Sequence, residues 1–189
     1  MKIILVRHAK TKIDSQIPIT RWGLSQEGIS LAQKLSENNI IKQIDILYSS
    51  LQTKSLETAV ILAKPNAIPI KTDDRLTEIT SFTNKFIPDV DKYNQAVKDY
   101  YSDIIKRINN GETKQEALER FNIAIESIVK TSNNKENIGL VSHGNILTLF
   151  SAQFKQINSY TAHKKIKYPD VAVLDWDKKE FINFFGEII

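Results

Sequence analysis

Apolar positions in this chain alternate between two periods. Lys2–Val6 (KIILV) is a short β-branched run that ends in the polar cluster Arg7-His8, the pattern of a buried strand feeding a loop. Ser25 then stands as an N-cap before Ile29, Leu31, Ala32 and Leu35 at helical spacing, with Asn38-Asn39 as the stop. A second strand over Ile44–Tyr48 leads through Ser49-Ser50 into a helix over Leu51–Ala63, whose Leu56, Ala59, Val60 and Ala63 share one face. Pro65 and Pro69 bracket a loop, with Ile68–Lys71 reading as a short strand. Residues 91–108 read as one helix through Tyr93, Val97, Tyr100, Tyr101, Ile104 and Ile108, ended by Asn109-Asn110-Gly111. Thr113 and Glu116 form a capping box that opens a further helix to Val129. The polar tract 131–137 predicts a turn before a third strand at Ile138–Val141, the loop 142–145 and a helix over Ile146–Phe154. Val171–Trp176 and Glu180–Phe185 predict a β-hairpin closed by Asp177-Lys178-Lys179.

Strand, loop and helix recurring three times predict an α/β fold: a three-layer α/β/α sandwich on a largely parallel sheet. The 189 residues suit one domain, 1–189, with 80–130 as the cap insertion. Hydrophobic residues at 41% and charged residues at 25% are ordinary globular values, which exclude a disordered or low-complexity chain. With no Cys, a disulfide scaffold, a thiolate nucleophile and a Cys-based metal site are excluded. No apolar run approaches a signal peptide or a membrane span, so a cytoplasmic location and no membrane partner are expected. The net charge of +4 permits anionic partners without demanding nucleic acid, and none is expected. Five arginines against twenty-one lysines leave few candidates for a rigid guanidinium fork. Nothing in the sequence sets an oligomeric state.

Three strand-to-loop junctions carry the chemistry: Arg7-His8, Ser49-Ser50 leading to Lys54, and Ser142-His143. Strand carboxyl ends in an open parallel sheet line one crevice, so the three can converge. Two histidines, an arginine, a lysine and helix N-termini make an anion site, and phosphate is its natural guest. A neutral imidazole is also a competent nucleophile towards phosphorus once the phosphoryl charge is compensated.

Leu5-Val6-Arg7-His8-Ala9-Lys10-Thr11 resembles the R-H-G signature of the histidine phosphatase superfamily, the phosphoglycerate mutase-like fold. Leu24-Ser25…Gly28…Ala32, Tyr48-Ser49-Ser50 through Glu57-Thr58-Ala59, Leu76-Thr77-Glu78-Ile79 and Val141-Ser142-His143-Gly144 resemble its other motifs, in order. The resemblance implies hydrolysis of a small phosphorylated metabolite through a phosphohistidine on His8, without metal or cofactor. It implies that Arg7, Lys54 and His143 grip the phosphoryl oxygens, and that Glu78 protonates the leaving group from a pocket that keeps its carboxyl protonated. Arg21, with Trp22 beside it, is placed as a substrate contact. A phosphohistidine phosphatase, a phosphoglycerate mutase, or a non-catalytic member that only binds phosphorylated ligands are the alternatives.

Three positions depart from the family pattern. Lys54 stands where most members have Arg, keeping the charge and losing the two-pronged grip. Ala9 replaces Gly. Asp14 stands where many members have an Asn near the phosphoryl group, and is read as a surface residue, since a carboxylate there would repel phosphate. His163 is read as a packing or surface histidine, the Lys164-Lys165…Lys167 cluster as solvated surface, and Tyr93, Tyr100 and Tyr101 as core.

Overall fold

The alternation within the first strand sorts the molecule into its layers. In β1 (Lys2–Arg7), Ile3 and Leu5 enter one apolar cluster and Ile4 and Val6 another, on the opposite face of the sheet. The computed structural model describes residues 1–132 and 134–188. Its single six-stranded sheet also contains β2 (Ile46–Ser49), β3 (Ile70–Thr72), β4 (Asn137–Ser142), β5 (Asp170–Asp175) and β6 (Glu180–Asn183), in the order β3-β2-β4-β1-β5-β6. β1, β2, β3 and β4 run parallel, whereas β5 is antiparallel to β1 and forms the expected hairpin with β6.

The helices cover both faces. On the Ile4 and Val6 side lie α1 (Gln26–Ser36), the four-residue α2 (Asn39–Lys42) and α3 (Thr53–Ala63), which supply Leu35, Ile41, Ala59 and Leu62. On the Ile3 and Leu5 side lie α4 (Val90–Tyr101), α5 (Lys114–Thr131), α6 (Gly144–Ser151) and α7 (Ser159–Lys165). The predicted three-layer sandwich is therefore the observed one. Thr113 and Glu116 form the capping box on α5, and Phe121, Ala124, Ile125 and Ile128 go inward. Within the segment 80–130, α5 thus packs on the sheet, while residues between Phe82 and Asn94 wall a cavity. No helix among the described residues is long and apolar enough to cross a membrane.

The helix expected over 91–108 ends at Tyr101. Asp103 adopts a left-handed φ of 60° and Ile104 is exposed, so the apolar spacing of Ile104 and Ile108 does not reflect a helix. Asn109 and Asn110, both at positive φ, instead turn the chain so that Gly111 meets the backbone of Ser81; a Cβ on Gly111 would overlap Ser81 N. The expected helix over 146–154 starts earlier and ends earlier, as α6, and α2 and α7 carry no clear periodicity because each is so short. In the tract 131–137, α5 runs on to Thr131, β4 begins at Asn137, and position 133 lies outside the described residues.

The second motif explains itself as packing. Ser25 caps α1 by accepting from Gly28 N at 3.0 Å, and Ser25 N donates to Lys10 O at 2.9 Å. A Cβ on Gly28 would collide with that same Lys10 carbonyl, so only glycine lets α1 sit against the loop after His8. Leu24 and Ala32 close over Ala9 in a small cluster of their own.

Candidate active site

Backbone bonds lock three strand ends into one surface. His8 N donates to Ser142 O at 2.9 Å, and Ser50 N donates to Val141 O at 3.1 Å. Thr58, on α3, accepts from Ala9 N at 3.0 Å and donates to Lys54 O at 2.7 Å, so this helix fixes the loop that carries His8. Its neighbour Glu57 accepts from Leu24 N at 2.6 Å. Ser142 Oγ donates to Leu76 O at 2.7 Å and ties the Glu78 segment to the end of β4. Arg7, His8, Lys54, Glu78 and His143 consequently line one cavity of about 410 Å³.

His8 presents one ring nitrogen to the cavity with its lone pair free. Its Nδ1 lies 2.8 Å from Ala9 O, which can only accept, so Nδ1 carries the proton and Nε2 keeps its lone pair. Burial first, then Lys54 and Arg7, hold the imidazole well below its usual range, so it is neutral at pH 7. His143 is edge-on to it, with ring centroids 5.1 Å apart. Burial, then His8, Lys54 and Arg7, keep His143 neutral as well. Its Nε2 sits 2.9 Å from Ser50 Oγ and 3.2 Å from Ser55 Oγ, while its buried Nδ1 has no partner.

Arg7 is the arginine reserved for the cavity. Arg75, Arg107 and Arg120 pair with Asp73, Glu116 and Glu112, whereas Arg7 makes no salt bridge among the described residues. Its Nη1 donates to Ile166 O at 2.6 Å, its Cζ lies 3.3 Å over the Tyr168 ring, and its buried Nε is unpaired. Among the described residues Arg7 Nε is a buried donor without an acceptor and His143 Nδ1 a buried ring nitrogen without a partner, and an anion in the cavity would satisfy the first, and the second in the tautomer that protonates Nδ1.

Gly144 makes the position of Arg7 possible. A Cβ there would stand 2.8 Å from both Arg7 Cζ and Nε. We therefore expect Gly144→Ala to push the guanidinium aside and to lower turnover of a phosphate ester about 10–100-fold. A loss carried by a weaker affinity for orthophosphate, with thermal unfolding little changed, checks this.

Lys54 is buried, and its Nζ donates to Ile19 O at 3.1 Å. Burial lowers its pKa to about 8, against a raising influence from Glu78 and with a further lowering by Arg7. Glu78 accepts hydrogen bonds at both carboxyl oxygens. Oε1 accepts from Ile79 N and Ile146 N, both at 2.9 Å, and Oε2 accepts from Asn145 N at 3.0 Å and Asn145 Nδ2 at 3.1 Å. All four partners are N–H donors, so the carboxylate caps the first turn of α6.

Arg21 is not brought to this cavity. In the 3-10 turn Ile19–Arg21, Ile19 and Trp22 lie three residues apart on the cavity side. Arg21 is exposed and lines a separate shallow depression with Thr53 and Asp74. Asp14 also stays out of the cavity: its side chain accepts from Gln16 N at 2.9 Å and its carbonyl from Trp22 Nε1 at 2.7 Å. Of the three tyrosines read as core, Tyr100 and Tyr101 are buried in it, and Tyr93 lines the cavity. His163 packs beside Tyr101, with centroids 5.8 Å apart, and burial, then Arg7, pushes its pKa down to about 3.

Ser55, Asn145 and Tyr168 join the site without having been singled out from the sequence. The interval between Ser50 and Ser55, one residue before a helix and one within it, was a usable signal for a shared His143 contact. Tyr168 lies in a loop with no periodicity and had none.

A family model described as histidine phosphatase superfamily (branch 1) matches residues 3–183. A search of curated protein sequences gives no significant match. Among solved structures, the YhfR protein of Bacillus stearothermophilus is similar at 23% identity and a TM-score of 0.78, over 100% of this chain and 98% of that one. A mycobacterial glucosyl-3-phosphoglycerate phosphatase solved with VO3 is similar at 17% identity and a TM-score of 0.76, covering 97% and 96%. An H9A mutant of phosphoserine phosphatase from Entamoeba histolytica, in complex with phosphoserine, is similar at 20% identity and a TM-score of 0.71, covering 98% and 96%.

Proposed function

From the premise that this chain belongs to the histidine phosphatase superfamily (branch 1), we propose that it hydrolyses small phosphomonoesters through a phosphohistidine on His8. The observation that carries the reading is the neutral His8 with an unprotonated Nε2, in a cavity with the unpaired guanidinium Nε of Arg7 and the unpartnered Nδ1 of His143. That two of the similar structures are phosphatases supports the reaction class.

In this reading the phosphoryl oxygens lie against Arg7, Lys54 and His143. The Nε2 lone pair forms a bond to phosphorus as the bond to the ester oxygen breaks, and Glu78 gives that oxygen its proton. The Glu78 oxygens accept only N–H bonds before substrate arrives, so the proton that Glu78 passes to the ester oxygen is one that enters on the phosphate monoester. Water then attacks the phosphohistidine, Glu78 accepts its proton, and inorganic phosphate leaves. A mutase holds a second phosphoryl group. Lys85 is the one further cation among the described residues lining the cavity, which favours hydrolysis.

Phosphate release from p-nitrophenyl phosphate and a panel of alkyl phosphates tests the proposal. Release well above that of His8→Ala is expected. Binding of orthophosphate without any release would establish a phospho-ligand-binding protein instead.

A further inference from the structure

Beyond the phosphoryl end, the cavity changes character. Ile13, Ile19, Trp22, Phe82, Phe86 and Val90 wall it, and Trp22 and Phe86 meet edge to face with centroids 5.0 Å apart. The Trp22 Nε1 is already spent on Asp14 O at 2.7 Å and Ile17 O at 3.3 Å, so this residue offers the cavity a ring and no donor. Within this wall Ile13 is 63% exposed and Val90 68% exposed, apolar side chains left uncovered at the cavity. Outside the phosphoryl contacts and the Tyr168 ring stacked on Arg7, the uncharged polar side chains of the lining are Thr11, Thr83, Tyr93, Asn94 and Asn145, with Lys85 the further cation, against a longer apolar run that also takes in Ile87 and Pro88.

Resting on the phosphatase reading, we propose that the substrates are monoesters of apolar alcohols, alkyl or arylalkyl, rather than of sugars or hydroxy acids. A polyhydroxylated leaving group loses its water against a wall that is mostly apolar, while an apolar one covers Trp22, Phe86, Ile13 and Val90. The cavity volume, near the small end of ordinary ligand pockets at about 410 Å³, admits a phosphoryl group with one ring or a short chain. Phe86 is then a specificity-determining residue. Trp22, whose backbone N–H donates to the same Ile19 carbonyl that holds Lys54, is the wall it meets edge to face.

The test compares 1-hexyl and 2-phenylethyl phosphate with glycerol 1-phosphate and glucose 6-phosphate, all esters of primary alcohols, so that leaving-group chemistry is similar. The two apolar esters are expected to show kcat/KM about 10-fold or more above the polar ones. Phe86→Ala should collapse the hexyl-to-glycerol ratio towards one, and Phe86→Leu should restore most of it. Equal or greater kcat/KM for the polar esters, or a ratio unmoved by Phe86→Ala, would overturn the inference. Calorimetric binding of the same four esters to His8→Ala reads the preference independently of turnover. Tighter binding of hexyl phosphate with no turnover by the unaltered protein would sink the phosphatase reading and leave the ligand preference standing. Tighter binding of the polar esters would sink the preference alone.

Discussion

Replacing His8 with alanine is expected to lower phosphomonoester turnover by on the order of 10⁴–10⁶-fold, the range seen when a covalent nucleophile is removed from a site that otherwise stays assembled. The fold should survive. Among the described residues the His8 side chain hydrogen-bonds only to its own neighbour Ala9, and its backbone tie to Ser142 O is kept by any residue but proline. Orthophosphate should still bind, since Arg7, Lys54 and His143 remain. Turnover by His8→Ala within about 10-fold of the unaltered protein would place the nucleophile elsewhere. Arg7→Ala is a less clean probe, because it also strips Ile166 O and the Tyr168 ring of their partner.

Lys54 sets the second expectation. Removing its charge in Lys54→Ala should cost about 10²–10³-fold, the usual consequence of losing one donor to a phosphoryl or oxyanion group. Its pH behaviour is more telling. With a pKa lowered to about 8, the ammonium is charged below that pH and neutral above it, and only the charged form compensates a phosphoryl anion. The profile of kcat/KM, which reports the free enzyme, should therefore fall as pH rises through about 8. In Lys54→Arg the guanidinium stays charged, so this limb should vanish and activity at pH 9 should rise relative to the unaltered protein. His8 and His143 are both held well below the usual imidazole range, so neither should produce a limb near pH 6.5. A limb at 8 that persists in Lys54→Arg would assign it to another group.

The sequence revealed most where local pattern and tertiary role coincide. β1 could be read because its β-branched run is buried on both faces, and α5 because the Thr113 box and its inward stripe agree. His8 and His143 could be read because each follows a strand, and parallel topology then forces them together. Other parts depended on contacts that no local pattern encodes. Ile104 and Ile108 mimic helical spacing, yet the chain turns at Asp103 and again at Asn109-Asn110 to bring Gly111 against Ser81. Arg21 neighbours Trp22 in sequence, but the tight turn sends only Ile19 and Trp22 inward. Three of the four donors to Glu78 come from the N-terminus of α6, more than sixty residues later, and are visible only in the fold. Tyr168 reaches the site by stacking on Arg7 from a loop without signal.

The most direct test of a phosphohistidine on His8 is to trap it. The protein is mixed with a radiolabelled phosphomonoester, quenched in alkali within the first turnover and digested. Phosphohistidine survives base and is lost in mild acid. The expected result is acid-labile label on the peptide carrying His8, and none in His8→Ala. Rapid turnover with no label on the protein, or label that persists in His8→Ala, would contradict it.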